Sequence, residues 1–477
     1  MPLILPARTL DSSYEIDNSL RFNANNDRLE RTPSSTGSRR KFTLSTWVKF
    51  NSGARRNIMA WKTDSNNAGE IRVEASGQVQ AFEFQGGTQS NGFGLYSTRL
   101  LRDPSAWYNL FISIDTTQGT SGLIMYINGQ EITYDTRTLG GGTNLDCNFN
   151  LSGTPMKIGS DRDDGQVWDG YIAEMHWIDG TIKSPTDFGE TNSNGVWVPK
   201  KYTGGSYSTN GFFFEFQQTG TGTNSSGMGA DTSGQDNHFA VTNLTATDQT
   251  TDTPTNNFAT LNPLANATVA GGTFSEGNVK FVTNQADYSF RPSTIGVSAG
   301  KWYCEIKAVS FGGGADPFMI GITSSQPTAN SHELGHFAND WGYKEDQKYR
   351  NNNSNTTYGD SYTSGDIIGI ALDLTNNKLY FSKNGTWQNS GDPTSGSTGT
   401  GAISITAVGS TPLGNYFFAI GDYDNSSGST STFEANFGNP SFSISSGNSD
   451  SEGFGNFEYA VPSGYFALCT KNLAEYG

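Results

Sequence analysis

A chain of 477 residues is too long for one ordinary hydrophobic core, so two or three domains are expected. Its formal net charge of −16 disfavours a surface that tracks nucleic-acid phosphate or anionic lipid, since both need clustered Lys and Arg. No apolar run approaches the roughly 20 residues that cross a bilayer, so neither nucleic-acid binding nor membrane insertion is expected.

Gly is abundant at 58 residues, only 16% of residues are charged, and no long stretch places apolar residues at i, i+3, i+4 and i+7. Such a composition predicts an all-β protein of short strands and tight turns. In chain order, residues 1–40 read as a polar N-terminal arm with too few apolar residues for a core. Their opening, MPLILPARTLDSSYEIDNS, lacks the basic lead and long hydrophobic stretch of a secretory signal, so synthesis in a cytoplasm is expected. Arg31, Arg39, Arg40 and Lys41 read as a solvated basic loop.

From Lys41 the pattern changes. Phe42, Leu44, Thr46 and Val48 alternate with Thr43, Ser45, Trp47 and Lys49, and strand-like runs follow at Glu70 to Val73, Gln78 to Phe84 and Tyr108 to Asp115. Leu123 to Ile127, the pair Asn128-Gly129, and Gln130 to Tyr134 predict a hairpin with a two-residue turn. A sandwich over 41–220 is expected, completed by a strand in the dense run Phe212 to Phe216. Residues 221–270 read as a long ordered connector, 271–440 as a second sandwich, and 441–477 as an apolar ending that docks on a sheet.

The second sandwich has the clearest hairpin. Ile368, Ile370, Leu372 and Leu374 share one face, Leu379 and Phe381 continue the row after Thr375-Asn376-Asn377, and Asn384-Gly385 closes the second strand. On the opposite face, Gly369 and Ala371 are small enough to lie beneath a second sheet. Cys147, Cys304 and Cys469 are far apart and contain no CxxC pair, so buried thiols are expected.

Several ordered motifs carry resemblances. Gly300-Lys301-Trp302-Tyr303 with Glu305, Met319-Ile320-Gly321-Ile322, Gly365-Asp366-Ile367-Ile368-Gly369, Leu372-Asp373, Phe381, Asn384-Gly385 and Asn436-Phe437-Gly438 together resemble the SPRY domain, a concanavalin-like sandwich. Phe42 to Val48, Trp107-Tyr108-Asn109, Tyr126-Ile127-Asn128-Gly129, Lys157-Ile158-Gly159 and Trp168 to Glu174 resemble the LamG-like or pentraxin-like jelly roll, another concanavalin A-like branch. The resemblances imply two recognition sandwiches that bind and do not catalyse. With the connector ATDQTTDTPTNNFATLNPL and the ending ALCTKNLAEYG, the chain also resembles structural proteins of tailed bacteriophages, particularly of marine hosts. That resemblance implies a virion surface protein, a tail fibre or appendage contacting host glycan or protein and other virion proteins, with trimers common among such fibres. A tail or capsid decoration and a polysaccharide depolymerase stand as alternatives.

Candidate sites divide by chemistry. His332-Glu333-Leu334-Gly335-His336 matches H-E-x-x-H, but the metalloprotease signature needs a helix and this stretch falls where the SPRY pattern has a loop. Glu174 and Asp179 are five apart and point to opposite faces of a strand, so they make no glycosidase pair. LamG-like domains often hold calcium at the rim, which makes Asp161, Asp163 and Asp164 candidate ligands; no cofactor is otherwise required. Trp341, Tyr343 and Trp387, read as loop aromatics, are candidates for stacking on a sugar or peptide.

Overall fold

The structure, a computed structural model, describes residues 14–23, 26–51, 53–265, 272–283, 288–311, 318–325, 332–423 and 430–477. They form strands, turns and short helical pieces in two compact units that part between Asn256 and Asn257.

In the N-terminal unit, two eight-stranded antiparallel sheets share one core. The first runs Gln130–Glu131, Leu123–Ile127, Tyr108–Asp115, Lys41–Phe50, Asp169–Asp179, Ser19–Asn23 and Gln249–Thr250, with Phe212–Phe214 also paired to Asp169–Asp179. The second runs Tyr134–Leu139, Thr88–Leu100, Gln78–Gln85, Asn67–Val73, Arg56–Asp64, Met156–Ile158, Arg28–Arg31 and Ala240–Thr242. Phe42, Leu44, Val48 and Phe50 enter the core, as their alternation predicts. Phe42 stacks on Trp177 at 4.2 Å and meets Phe149 edge-on at 4.6 Å. The other face of Lys41–Phe50 is also covered: Trp47 packs with Trp107, Tyr171 and Ala173. There Lys49 pairs with Asp252 at 2.8 Å, both side chains at most 1% exposed.

Three expectations for this half change. Residues 1–13 of the expected arm lie outside the described residues; the part from Tyr14 on is not merely an arm, because Ser19–Asn23 and Arg28–Arg31 are strands of the two sheets, with Leu20, Phe22 and Leu29 in the core. The polar residue between those apolar ones, Arg21, is itself buried and donates to the Thr247 carbonyl at 2.8 Å, so its polarity did not signal solvent. The turn Asn128-Gly129 forms with φ of 50° and 70°. Its returning strand ends at Glu131, and the chain then crosses to the second sheet at Tyr134. Residues 221–256 do not simply connect: Ala240–Thr242 and Gln249–Thr250 are edge strands, and Phe239 and Leu244 lie in the core.

The C-terminal unit pairs a nine-stranded sheet with a six-stranded one around a second core. The nine-stranded sheet centres on Lys301–Ser310, Ile367–Asp373 and Lys378–Lys383; the six-stranded sheet runs Tyr288–Pro292, Phe417–Tyr423, Phe318–Thr323, Asp340–Lys344, Lys348–Asn351 and Ser354–Thr357. The expected hairpin is present, with Ile368 opposite Lys383 and Asp373 opposite Lys378. Ile368, Ile370, Leu372, Leu379 and Phe381 face Ile320, Ile322 and Phe418 in the core. The small-residue face is covered by the chain's own ending and not by a second sheet, as Ala371 packs with Tyr303, Tyr380, Phe457 and Tyr465. Phe466–Ala467 adds a short parallel pairing to Lys301–Ser310. Cys147, Cys304 and Cys469 are buried, and none of them is in a disulfide.

Glu305 fastens that ending. Its Oε2 accepts from the Glu458 N–H at 2.9 Å and the Asn436 amide at 3.2 Å; its Oε1 accepts from the Tyr459 N–H at 2.8 Å and the Tyr303 hydroxyl at 3.1 Å. Burial pushes this carboxyl up from 4.5 to about 7. A raised folded-state value means that the folded unit holds the proton more tightly than the unfolded chain. The contribution is therefore full below about 4.5 and lost as pH rises through about 7.

Two outcomes follow from this fold. The stability advantage of wild type over Glu305→Gln, measured by denaturant unfolding across pH 4–8, should shrink as pH rises, by on the order of 3 kcal/mol; a constant difference contradicts the linkage. Asn384 and Gly385 have φ of 48° and 79°, and a Cβ at Gly385 would lie 2.5 Å from Tyr459 Cδ1. Gly385→Val should destabilise the C-terminal unit by about 2–4 kcal/mol through backbone strain and overpacking. The N-terminal transition and the Thr386→Val control should stay near the parent's.

Candidate functional site

The outward row of the second N-terminal sheet is set by register. Cross-strand neighbours run Gly94, Phe82, Glu70, Ala60, Lys157, Glu30, and beside them Tyr96, Gln80, Arg72. Long side chains therefore stand on both sides of Ala60, and the short methyl leaves a notch between them. A cavity of about 140 Å³ occupies it, lined by Glu30, Ala60, Trp61, Lys62, Pro155, Lys157 and Arg162.

The polar groups around this cavity are held in place by ion pairs. Glu70, 3% exposed, accepts from Arg72 at 2.7 Å and from Arg162 at 2.6 Å. Lys157 reaches Asp164 at 2.6 Å, and Arg28 reaches Glu30 at 3.1 Å. Lys62 bonds Asp163, and that ammonium holds the Asp163 carboxyl below its ordinary value. Arg72 lies over the Phe82 ring at 4.6 Å and Arg162 over Phe84 at 4.9 Å, which fixes both guanidinium planes. The result is an apolar floor of Ala60 and Pro155 beneath donors and an acceptor of fixed direction, suited to a small polyhydroxylated group. Among the described lining residues Glu30 is the one carboxylate, and Glu70 is bonded to the lining Arg162.

The residues singled out in the sequence fall elsewhere. Trp341 and Tyr343 are strand residues, 4% and 0% exposed, with Trp341 edge-on to Tyr416 and Tyr343 against Phe381. Their alternation in Asp340–Lys344 sends both into the core, so neither is available for stacking on a ligand. Trp387 is half-buried against Tyr303 and Tyr380. The acidic turn lies beside the cavity, but its carboxylates do not fit a calcium shell of six to eight oxygens. Asp161 accepts from the Asp163 and Gly165 N–H groups, while Asp163 and Asp164 face cations. Among the described residues, no group of three or more His, Cys, Asp or Glu is placed to hold a metal. Arg31, Arg39, Arg40 and Lys41 are tied to Asn237, Cys147, Asp146 and Asp115.

Glu174 occupies a bulge in Asp169–Asp179, with φ of 44°, and its Oε1 lies 2.9 Å from His176 Nε2. His176 Nδ1 lies 2.7 Å from the Tyr207 hydroxyl. Asp179 instead accepts from the Ser38 and Asn210 backbones, so the two acids serve different contacts. His332 to His336 is a loop, turned at Gly335 with φ of 89°, and the two imidazoles stack with centroids 3.8 Å apart. Stacked rings cannot aim their nitrogens at one ion as two histidines on a helical face do.

Sequence reasoning missed Lys62, Lys157 and Arg162. The available signal was Glu70, Arg72, Gln80 and Phe82 at alternate positions of two adjacent strands. Their grouping with Lys157 and Arg162, some 80 residues later, needed the sheet order.

Comparison with known proteins separates the two halves. Residues 23–186 match the concanavalin A-like lectin/glucanases superfamily, and residues 301–410 match the SPRY domain. Over 94 residues the chain is 35% identical to Ran-binding protein 9 of Danio rerio, covering 19% of this chain and 15% of that protein. Over 80 residues it is 34% identical to the dual specificity protein kinase splA of Dictyostelium discoideum, covering 16% of this chain and 3% of that one. The chain thus spans 15% or less of the length of these relatives. The SPRY domain of human HERC1 aligns with a TM-score of 0.28 and 15% identity, covering 37% of this chain and 96% of that structure.

Folding is expected to be independent of zinc. Metal analysis should find less than stoichiometric zinc, and His336→Ala at neutral pH should unfold within about 0.5 kcal/mol of the parent, as a partly exposed loop substitution does. Stoichiometric zinc or a much larger loss contradicts this.

Proposed function

We propose that this chain is a non-enzymatic recognition protein of a virion surface, a tail fibre or appendage of a tailed bacteriophage that contributes to host attachment. The observation that carries the recognition role is the cavity at Ala60, where Lys62, Lys157 and Arg162 stand with Glu30 over an apolar floor. Its donors are oriented by ion pairs and aromatic stacking, an arrangement that favours binding a host-surface glycan by hydrogen bonding. Two concanavalin A-like units in one chain support the same reading, with the SPRY-like unit suited to a protein partner. The virion assignment rests on the resemblance of the connector and ending to phage structural proteins.

Labelled protein should bind susceptible bacteria saturably, and a soluble extract of their surface polysaccharide should compete. Lys157→Ala and Arg162→Ala should each weaken binding roughly tenfold, or about 1.4 kcal/mol, with the unfolding midpoint of the C-terminal unit unchanged. Saturable binding unaffected by both substitutions places recognition on another surface. No binding by the folded protein points to a decoration role, and release of reducing sugar points to a depolymerase.

A further inference from the structure

The face of the six-stranded sheet turned away from the core carries a small apolar cluster of Phe290, Met319 and Ala419, and Leu334 fills it, all four at most 1% exposed. Gly342 makes the cluster deep enough, since a Cβ there would lie 3.2–3.3 Å from Met319 and the Leu334 Cγ. Leu334 arrives on a loop that belongs to neither neighbouring strand. The loop is held by an ion pair from Glu333 to Arg350, by the Asn352 and Asn353 N–H groups donating to the Phe337 and Gly335 carbonyls, and by the His336 N–H donating to the Glu333 carbonyl. Across it, His332 and His336 stack at 3.8 Å with rings 15° from parallel, both edge-on to Phe337.

We infer that His332 to Phe337 is an acid-opened lid, in which the stacked histidine pair keeps Leu334 in its socket while uncharged and releases it when protonated. The charged and titratable groups facing His336 are its own segment's His332 and Glu333, and Arg350 from the strand Lys348–Asn351. Asp340 lies at the end of the segment, where its Oδ2 accepts from the Phe337 N–H at 3.4 Å. A second positive charge 3.8 Å from the first, with Arg350 already nearby, is repelled more strongly than the single Glu333 carboxylate offsets. Burial and His332 lower the His336 imidazole below 6.5, Glu333 opposing them and Arg350 adding to them. A histidine whose value is lowered in the closed state stabilises closure above 6.5, and that stabilisation is lost as pH falls below it. Asp340 titrates in a neighbouring range, pushed up to about 6 by burial, so it must be separated from the histidines experimentally.

Amide hydrogen exchange of the whole chain at pH 7.5 and 5.0, referred to intrinsic rates at each pH, tests the lid. Protection of His336, Asn352 and Asn353 should fall roughly tenfold at pH 5.0, while Ile320 and Tyr343 in the sheet beneath keep theirs. His336→Gln should abolish the fall, Asp340→Asn should preserve it, and Leu334→Ala should lower protection at both pH values. Equal protection at both pH values in the wild type, or a fall that persists in His336→Gln, overturns the inference. A fall removed by Asp340→Asn alone assigns the switch to the aspartate and also overturns it.

Discussion

Asp179 accepts hydrogen bonds from the Ser38 N–H at 2.8 Å, the Asn150 amide at 2.9 Å and the Asn210 N–H at 3.1 Å, drawing three distant stretches of irregular chain onto the end of one strand. The rest of the structure depends on contacts of this kind. Loops that cover both faces of a sheet bury backbone N–H groups that no ladder can satisfy, and each one left unpaired costs about 1–3 kcal/mol. Asp231 holds the N–H groups of Phe213, Ser233 and Asn237; Glu83 holds Asn148 and the Trp61 indole; Asp450 holds Glu452, Phe454 and Ala467. A carboxylate suits this task because it accepts several bonds and donates none.

The same constraint changes the meaning of the composition. The acidic excess disfavours a phosphate-tracking surface, yet many of the acids are interior fasteners and not surface groups. Asp252 is one, buried against Lys49 and the Trp107 indole, and it binds the segment after Gln249–Thr250 to the first sheet. Glu305 does the same for the C-terminal ending. These contacts help keep the outer sheet faces covered, in the N-terminal unit together with the two-stranded sheet Gly189–Thr191/Trp197–Pro199, whose Trp197 packs on Trp47 and Trp107.

Against that interior, the outer row of the second N-terminal sheet stands out as a run of mutually paired polar groups, of which Glu70 and Gln80 are themselves buried. Tryptophan and tyrosine, the expected sugar-stacking residues, are largely committed to packing; in the outer row Phe82 and Phe84 lie under arginines, and the half-buried Tyr96 meets Phe82 edge-on. Rigidity in this cavity comes from paired charges and stacked guanidinium groups, which lower the entropy lost when a ligand is held. In the other unit, the H-E-x-x-H stretch serves packing, as Leu334 closes an apolar patch beneath a pair of stacked rings.

Period-two alternation was enough to determine the all-β class, the hairpin at Ile367–Asp373 and Lys378–Lys383, and the strands at Lys41–Phe50 and Tyr108–Asp115, because one buried face imposes that period on neighbouring residues. Asn128-Gly129 and Asn384-Gly385 announced their turns for an equally local reason, the positive φ at both positions. The entry of Ser19–Asn23 into the first sheet was not legible, since Arg21 looks solvent-facing until Asp248 and Thr247 are brought over it from more than 220 residues away. Trp341 and Tyr343 could have been loop residues or core residues from their types alone, and strand pairing decided for the core. The cavity at Ala60 required sheet order as well, because it is the absence of a long side chain between Glu70 and Lys157, residues that become neighbours only when three strands align.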